Sequence, residues 1–244
     1  MDISRESRKD RNNTDGLILL AAAAGLSFLI ALLVVLFYAP REQVMGDVQR
    51  IFYFHVAAGW VGGLAYGIAA VCGARYLWKP HESFDDAGHA AVEIGFVFTL
   101  INVLTGSIWA RPIWNTWWTW DPRLVTATVM AVMYAGYLLL RRSISNVESQ
   151  RRIAAGYALL SFLSVPMTFL SIRLFRTIHP VVFGTVMQGD AMTGLSNRML
   201  VSLAVSLLSF SFLFVVFLLY RIRLSQLSRQ VEDAQWERFE AEKA

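Results

Sequence analysis

The sequence is poor in cysteine and lacks charge over long stretches, and both shortages narrow the class of protein. Its 244 residues include one cysteine, Cys72, so the chain cannot form an internal disulfide framework. Six segments of 17–24 residues contain no Asp, Glu, Lys or Arg. With 56% hydrophobic residues and a mean hydropathy of +0.47, the chain is too apolar for an ordinary soluble domain.

The uncharged segments predict membrane-spanning helices. A helix of about 20 residues crosses a hydrocarbon core about 30 Å thick, and lipid offers no partner for backbone amides, so each segment must satisfy its own. The sequence therefore predicts an all-α polytopic membrane protein with six transmembrane helices. The membrane domain is expected at 16–220, between charged tails at 1–15 and 221–244. The six segments are 16–37, 51–74, 94–110, 124–140, 153–172 and 199–220.

The basic residues predict the orientation of these helices. When the N-terminus is placed in the cytoplasm, fifteen of the 22 Lys and Arg residues fall in cytoplasmic segments and seven in outer segments. Cytoplasmic segments carry the excess of basic residues, so both termini and both tails are expected in the cytoplasm. The outer loops are then 38–50, 111–123 and 173–198. Because the positive charge sorts by membrane side, the net charge of +4 does not indicate a nucleic-acid partner.

Tryptophan is concentrated in a predicted outer loop at 109–126, between the third and fourth helices. Five of the eight tryptophans lie there within twelve residues. A packed indole buries roughly 150–250 Å² and bare apolar patches are a liability, so we expect a large, flat, apolar group to cover these rings. The membrane interface also enriches tryptophan, but it requires neither this density nor the neighbouring Asp121 and Arg123. The five are Trp109, Trp114, Trp117, Trp118 and Trp120.

Two of the four histidines fall on the same predicted side as the tryptophans. His55 begins the second helix and His179 follows the fifth, whereas His81 and His89 lie in a cytoplasmic loop and are interpreted as solvated. Two imidazoles from separate helix ends can bind one iron from opposite sides, as in haem proteins. A lone histidine at a helix end is more often an interfacial residue. Only its combination with the tryptophans favours a haem site.

Haem also matches the other residues of this loop. Its flat apolar faces suit indole rings, and its two propionates suit guanidinium groups such as Arg111 and Arg123. A C-x-x-C-H motif is missing, so covalent attachment of the usual c type is not expected. Asp121 is predicted to cap a helix that begins at Pro122. No residue can be assigned an acid–base step, so we expect a protein that is not an enzyme.

The tryptophan stretch resembles a known family signature. The run Trp114-Asn-Thr-Trp-Trp-Thr-Trp-Asp-Pro-Arg123 is similar to the tryptophan-rich "WWD" motif of haem-handling proteins in cytochrome c biogenesis. Six predicted helices, a length of 244 residues and one histidine on each side of the motif resemble the haem exporter protein C family, also called cytochrome c maturation protein C.

The resemblance implies that haem b is bound as a transported substrate at the outer face of the cytoplasmic (inner) membrane. It implies that His55 and His179 are the axial ligands of the haem iron. It also implies that haem passes to a membrane-anchored haem chaperone, and that the chain works in the lipid bilayer with an ATP-binding cassette ATPase and companion membrane subunits. The family's motif residues correspond to Trp114, Trp117, Trp118, Trp120, Asp121 and Arg123.

Three other functions stay open on the sequence. They are a permease subunit for a small solute, a scaffold that binds a protein through the tryptophans, and a haem b electron-transfer subunit. A permease favours ionisable groups near the bilayer centre, whereas these spans offer only Asn102 and hydroxyl groups. An electron-transfer subunit usually carries paired histidines inside its helices, and no histidine lies at mid-span here.

Overall fold

The regular structure of the chain is helical wherever it is described. The computed structural model describes residues 3–180 and 195–243, with side chains from residue 14 onward. Six helical stretches in these ranges are long and apolar enough to cross a membrane, which confirms the predicted all-α fold with six spans. The α-helices are α1 (Ile3–Leu33), α2 (Arg50–Trp78), α3 (Glu82–Trp114), α4 (Pro122–Ser143), α5 (Val147–Phe162), α6 (Ser164–Leu174) and α7 (Asn197–Lys243).

The fifth span consists of two helices. α5 ends at Phe162 and α6 begins at Ser164, so the span is interrupted at Leu163. Pro166 explains the break, because it has no N–H to donate to the carbonyl four residues earlier. The Ser164 hydroxyl donates to the carbonyl of Ser161 at 2.6 Å and so satisfies one of the carbonyls at the break.

α2 is the central helix and packs against α3, α5 and α7. Its contact with α3 is close because small residues lie between them. A Cβ atom added at Gly62 would lie 2.8 Å from Oγ1 of Thr99, and one added at Gly95 would lie 2.8 Å from Cβ of Ala65. Small residues give helices in lipid the close approach on which their packing depends. This contact places His55 of α2 directly beside the last turns of α3.

The helices extend beyond the predicted apolar segments. α3 begins at Glu82 rather than at residue 94 and continues through Trp114. It ends where Asn115 takes a left-handed conformation with φ of 56°. The tryptophan loop therefore shrinks to residues 115–121, and Trp109 lies in a helix. The predicted segments were cut at the first charged residue. A helix can continue past charged residues when their side chains form ion pairs with charged partners.

Those partners lie at one end of the bundle, which we call the arginine end. α3 and α5 begin there and α4 ends there. Acidic residues from the first turns of α3 pair with arginines from three other helices, at N–O distances of 3.5 Å or less. The pairs are Asp85 with Arg141 and Arg151, Asp86 with Arg229, Glu93 with Arg221, and Glu82 with Arg151 and Arg229.

The arginine end corrects one interpretation made from the sequence. His89 is not a solvated loop residue: it lies inside α3, its side chain is 20% exposed, and its Nε2 lies 3.4 Å from Oε1 of Glu93. His81 does lie in the short connection before α3, where its Nδ1 accepts the N–H of Ser83 at 3.2 Å. The connection is short because the paired carboxylates let α3 start early.

α7 is longer than its apolar segment. The helix continues through the predicted tail at 221–244, because α7 runs as one helix of 47 residues from Asn197 to Lys243. Its sequence contains neither glycine nor proline, so nothing in it interrupts the helix. Arg221 and Arg229 join this extension to the first turns of α3. The extension is thus fixed to the bundle for its first two to three turns.

Candidate functional site

The opposite end of the bundle, which we call the histidine end, contains a cleft. α2 and α4 begin there, and α3 and α6 end there. The cleft encloses a cavity of about 80 Å³. Drug-sized ligands occupy clefts of roughly 300–1,000 Å³, so a ligand of that size would extend past the rim of this cavity. The residues that matter most among its lining are His55, Trp109, Trp114, Trp118, Arg123 and His179.

His55 is held against α3 by its ring and by its backbone. Its Nδ1 donates to the backbone carbonyl of Asn102 at 2.9 Å, and the side-chain amide of Asn102 donates to the carbonyl of His55 at 2.8 Å. A carbonyl only accepts, so Nδ1 carries the proton and Nε2 keeps a free lone pair. Metal-binding histidines usually have this arrangement. Gly106 makes it possible, since a Cβ there would lie 2.9 Å from Cε1 of His55.

His179 lies five residues beyond the end of α6 and reaches the same cleft. Its ring centroid is 6.3 Å from that of His55, with 45° between the planes. Burial lowers the pKa of His179 to about 4, helped by the positive charge of Arg123 and by His55 and opposed by Asp121. The imidazole is therefore neutral near pH 7, which is the form that binds metals. Its Nδ1 is buried without a hydrogen-bond partner among the described residues.

The tryptophans divide into two groups. Trp109 and Trp114 come from the end of α3 and meet edge to face at 5.2 Å between centroids, and Trp114 lies 6.2 Å from the ring of His179. Trp118 also lines the cleft. Trp117 and Trp120 do not line it and are 57% and 84% exposed. The predicted site residues Trp114 and Trp118 are thus brought to the histidines, and Trp117 and Trp120 are not.

The two arginines of the predicted site also separate. Arg123 lines the cleft, and its Nη1 donates to the carbonyl of Thr168 in α6 at 2.9 Å. Its guanidinium lies 5.3 Å from the ring centroid of Phe169, so the side chain is anchored on α6. Arg111 is exposed on the last turn of α3 and donates to the carbonyl of Asn115 at 2.9 Å, which closes that helix end.

Asp121 connects the tryptophan loop to the segment that carries His179. It caps α4 as predicted, with Oδ1 accepting the N–H of Arg123 at 2.9 Å. Its Oδ2 accepts the Thr177 hydroxyl at 2.6 Å and the N–H of Ile178 at 2.9 Å. Burial would raise the pKa of Asp121, but these hydrogen bonds and His179 outweigh it and lower the pKa below its ordinary value. Asp121 is therefore a carboxylate at neutral pH.

Sequence reasoning missed two residues that hold the histidines of the cleft. They are Asn102, which contacts His55, and Thr177, which contacts His179. Trp109, which the sequence placed in the tryptophan loop, lines the cavity from the end of α3. A signal existed for Asn102, because it is one of the few polar residues in an apolar span and lies four residues before Gly106. Thr177 gave no signal, since nothing in the local sequence places it next to Asp121.

Comparison with known proteins decides the family. Residues 6–237 match the family model described as Heme exporter protein C. The chain belongs to this family. It is 31% identical over 197 residues to "Heme exporter protein C" of Bradyrhizobium diazoefficiens, which covers 81% of this chain and 74% of that protein.

Two further relatives are similar to this chain over most of their length. The chain is 29% identical to "Heme exporter protein C" of Rhodobacter capsulatus, over 86% of each chain. It is also 29% identical to a "Putative cytochrome c biosynthesis ccmC-like mitochondrial protein" of Marchantia polymorpha, over 82% of this chain and 83% of that one. Membership in the heme exporter protein C family and six membrane-spanning helices make this a multi-pass membrane protein with a role in haem handling for cytochrome c maturation.

Proposed function

We propose that the protein binds haem b between His55 and His179 at the outer face of the cytoplasmic membrane and presents it to a membrane-anchored haem chaperone. In this proposal it works beside an ATP-binding cassette ATPase and companion membrane subunits. Haem is the transported substrate, and the chain performs no chemical step on it. The family supports the haem and the cytochrome c context. The residues are proposed from the cleft.

The pairing of the two imidazoles carries the proposal. Two imidazoles bound to opposite sides of one metal ion through bonds of about 2 Å have ring centroids about 6 Å apart. The separation of His55 and His179 is 6.3 Å. Nε2 of His55 has a free lone pair, and His179 is neutral with no partner on Nδ1 among the described residues. Each ring therefore has a nitrogen available for iron.

The walls of the cleft suit a porphyrin. Trp114 lies beside His179 and Trp118 lines the same cleft, and an aromatic contact adds about 0.5–1.5 kcal/mol beyond area burial. Arg123 is the cation of the cleft and can pair with one propionate in bidentate geometry. The cavity of about 80 Å³ is too small to enclose the macrocycle. Part of bound haem would therefore project past the rim, where a chaperone can reach it.

The absorbance spectrum of the purified protein tests this proposal. His55→Ala and His179→Ala should abolish the bound-haem spectrum or convert it to that of a five-coordinate iron. The matched control is His81→Ala, because His81 is exposed at the arginine end. Equal haem content and identical spectra in all three variants would show that these imidazoles are not the ligands.

Attachment of a membrane-impermeant label tests the orientation. Single cysteines introduced at Val44, in the connection before α2, and at Phe175, after α6, in a Cys72→Ala background should both react from the outer side of sealed vesicles. Both positions are exposed. Reaction of the two positions from opposite sides would contradict a shared outer site.

A further inference from the structure

We infer that Thr177 is a positioning residue which, together with Asp121, fixes His179 against the tryptophan loop. The inference rests on the proposed function, because it concerns the placement of a proposed haem ligand. It adds a residue that does not line the cavity. It also gives the aspartate of the motif a role that differs from contact with haem.

The two histidines are positioned in different ways. His55 lies in the second turn of α2, so the backbone hydrogen bonds of a helix fix it. His179 lies beyond Leu174, where α6 has ended. In the described part of the chain, no backbone-to-backbone hydrogen bond joins residues 176–180 to another element. The placement of His179 must therefore come from side chains.

Thr177 supplies that placement through two hydrogen bonds of opposite sense. Its hydroxyl donates to Oδ2 of Asp121 at 2.6 Å and accepts the backbone N–H of His179 at 3.0 Å. The neighbouring N–H of Ile178 donates to the same carboxylate oxygen at 2.9 Å. The chain of bonds thus runs from the ligand, through one hydroxyl, to the motif aspartate.

Asp121 is a firm anchor for this chain because its other oxygen is also used. Oδ1 accepts the N–H of Arg123 at 2.9 Å and so belongs to the first turn of α4. Asp121 is 7% exposed, so little of it is open to water. Trp118 lies three residues before Asp121 and His179 two residues after Thr177. The tryptophan loop and the segment that carries the ligand are consequently joined at one carboxylate.

Loss of this support should weaken haem binding while the ligand itself is kept. Residues that orient a metal ligand commonly cost about 10–100-fold in metal affinity when they are removed. Thr177→Val keeps the shape of the side chain and removes the hydroxyl, and Thr177→Ser keeps the hydroxyl. Thr119→Val is the matched control, because the Thr119 hydroxyl is buried in the tryptophan loop and has no hydrogen-bond partner among the described residues.

The experiment uses the full-length protein with two readouts. The first is hydrogen–deuterium exchange of overlapping peptides over residues 175–180 in haem-free protein, where Thr177→Val should speed exchange of the His179 amide about tenfold. The second is the rate of haem loss to apomyoglobin as an external acceptor. Thr177→Val should lose haem about 10–100-fold faster, whereas Thr177→Ser and Thr119→Val should match the wild type.

The outcomes separate this inference from the proposed function. If His179→Ala loses haem but Thr177→Val and Thr177→Ser lose it at the same rate, the positioning role is wrong and the haem site stands. If exchange at His179 does not change in Thr177→Val, the hydroxyl does not hold the segment and the inference is also wrong. If His179→Ala retains haem like the wild type, both the proposed ligand and its positioning residue are overturned.

Discussion

The two ends of the bundle are held by different kinds of contact. At the arginine end, carboxylates from α3 pair with arginines from α4, α5 and α7. At the histidine end, Asn102 and Thr177 hold two histidines through hydrogen bonds. Ion pairs between helices therefore mark the end that holds the bundle together, and histidines fixed by hydrogen bonds mark the end suited to a ligand.

The largest expected effect is on stability, at the arginine end. Asp85→Asn leaves Arg141 and Arg151 without their buried carboxylate, whose side chain is 6% exposed. Removing one partner of a buried pair costs about 3–5 kcal/mol, so the free energy of unfolding in detergent should fall by that order. Haem content per folded molecule should not change.

An exposed ion pair serves as the control for Asp85. Arg152 and Glu148 pair at 3.0 Å with side chains 63% and 77% exposed, and exposed pairs contribute about 0–1 kcal/mol. Glu148→Gln should therefore leave the unfolding free energy nearly unchanged. Loss of haem from Asp85→Asn without loss of stability would break the division between the two ends.

A smaller effect is expected within the tryptophan loop. Trp118 lines the cleft, whereas Trp120 does not line it and is 84% exposed. Trp118→Ala should speed haem loss to apomyoglobin about tenfold, in line with about 0.5–1.5 kcal/mol for an aromatic contact beyond its buried area. Trp120→Ala should change it less than about twofold. The reverse order would show that bound haem lies on the outward rings.

The smallest expected effect is a shift in pH dependence. Burial lowers the pKa of His179 to about 4, with Arg123 and His55 adding to the shift and Asp121 opposing it. An ordinary histidine titrates near 6.5, so haem retention should stay level from pH 7 to about 5 and fall near 4. Arg123→Gln removes a charge that lowers this pKa, so the midpoint of haem loss should move to higher pH.

Protonation of His179 also changes the stability of the folded protein, so the titration needs a control. A histidine whose pKa is lower in the folded state contributes stability above its unfolded pKa of about 6.5, and this contribution declines as the pH falls towards the folded pKa of about 4. Haem loss must therefore be measured per folded molecule, with His81→Ala alongside. An unchanged midpoint in Arg123→Gln would show that this arginine does not act on His179.

The sequence predicted the number of spans because backbone groups in lipid must form hydrogen bonds within their own segment. An uncharged segment of sufficient length must be helical there. Helix ends were predicted less well, since charge was taken as the limit. α3 starts at Glu82 because Asp85 and Asp86 find arginines on distant helices. Such partners become visible only once the helices are assembled.

The sequence predicted which residues belong to the candidate site, but not which of their side chains line the cleft. Histidine and tryptophan are chemically distinctive, so His55, His179 and the loop were found from composition and topology. The short loop at 115–121 has no helical period, and therefore nothing in the sequence separates inward Trp118 from outward Trp117 and Trp120. Thr177 was missed because its role depends on where Asp121 lies after folding.

Because α7 is one uninterrupted helix, it fixes the distance and the rotation between its contacts at the two ends of the bundle. Leu203 packs in a cluster with Tyr53 of α2 near the histidine end, and Arg229 pairs with Asp86 near the arginine end. One inserted residue between them would rotate everything downstream by about 100° and advance it by about 1.5 Å. Arg229 would then miss its carboxylate. The number of residues between Leu203 and Arg229 is therefore fixed by these two contacts. The exposed stretch after Arg229 can change in length without loss of either contact.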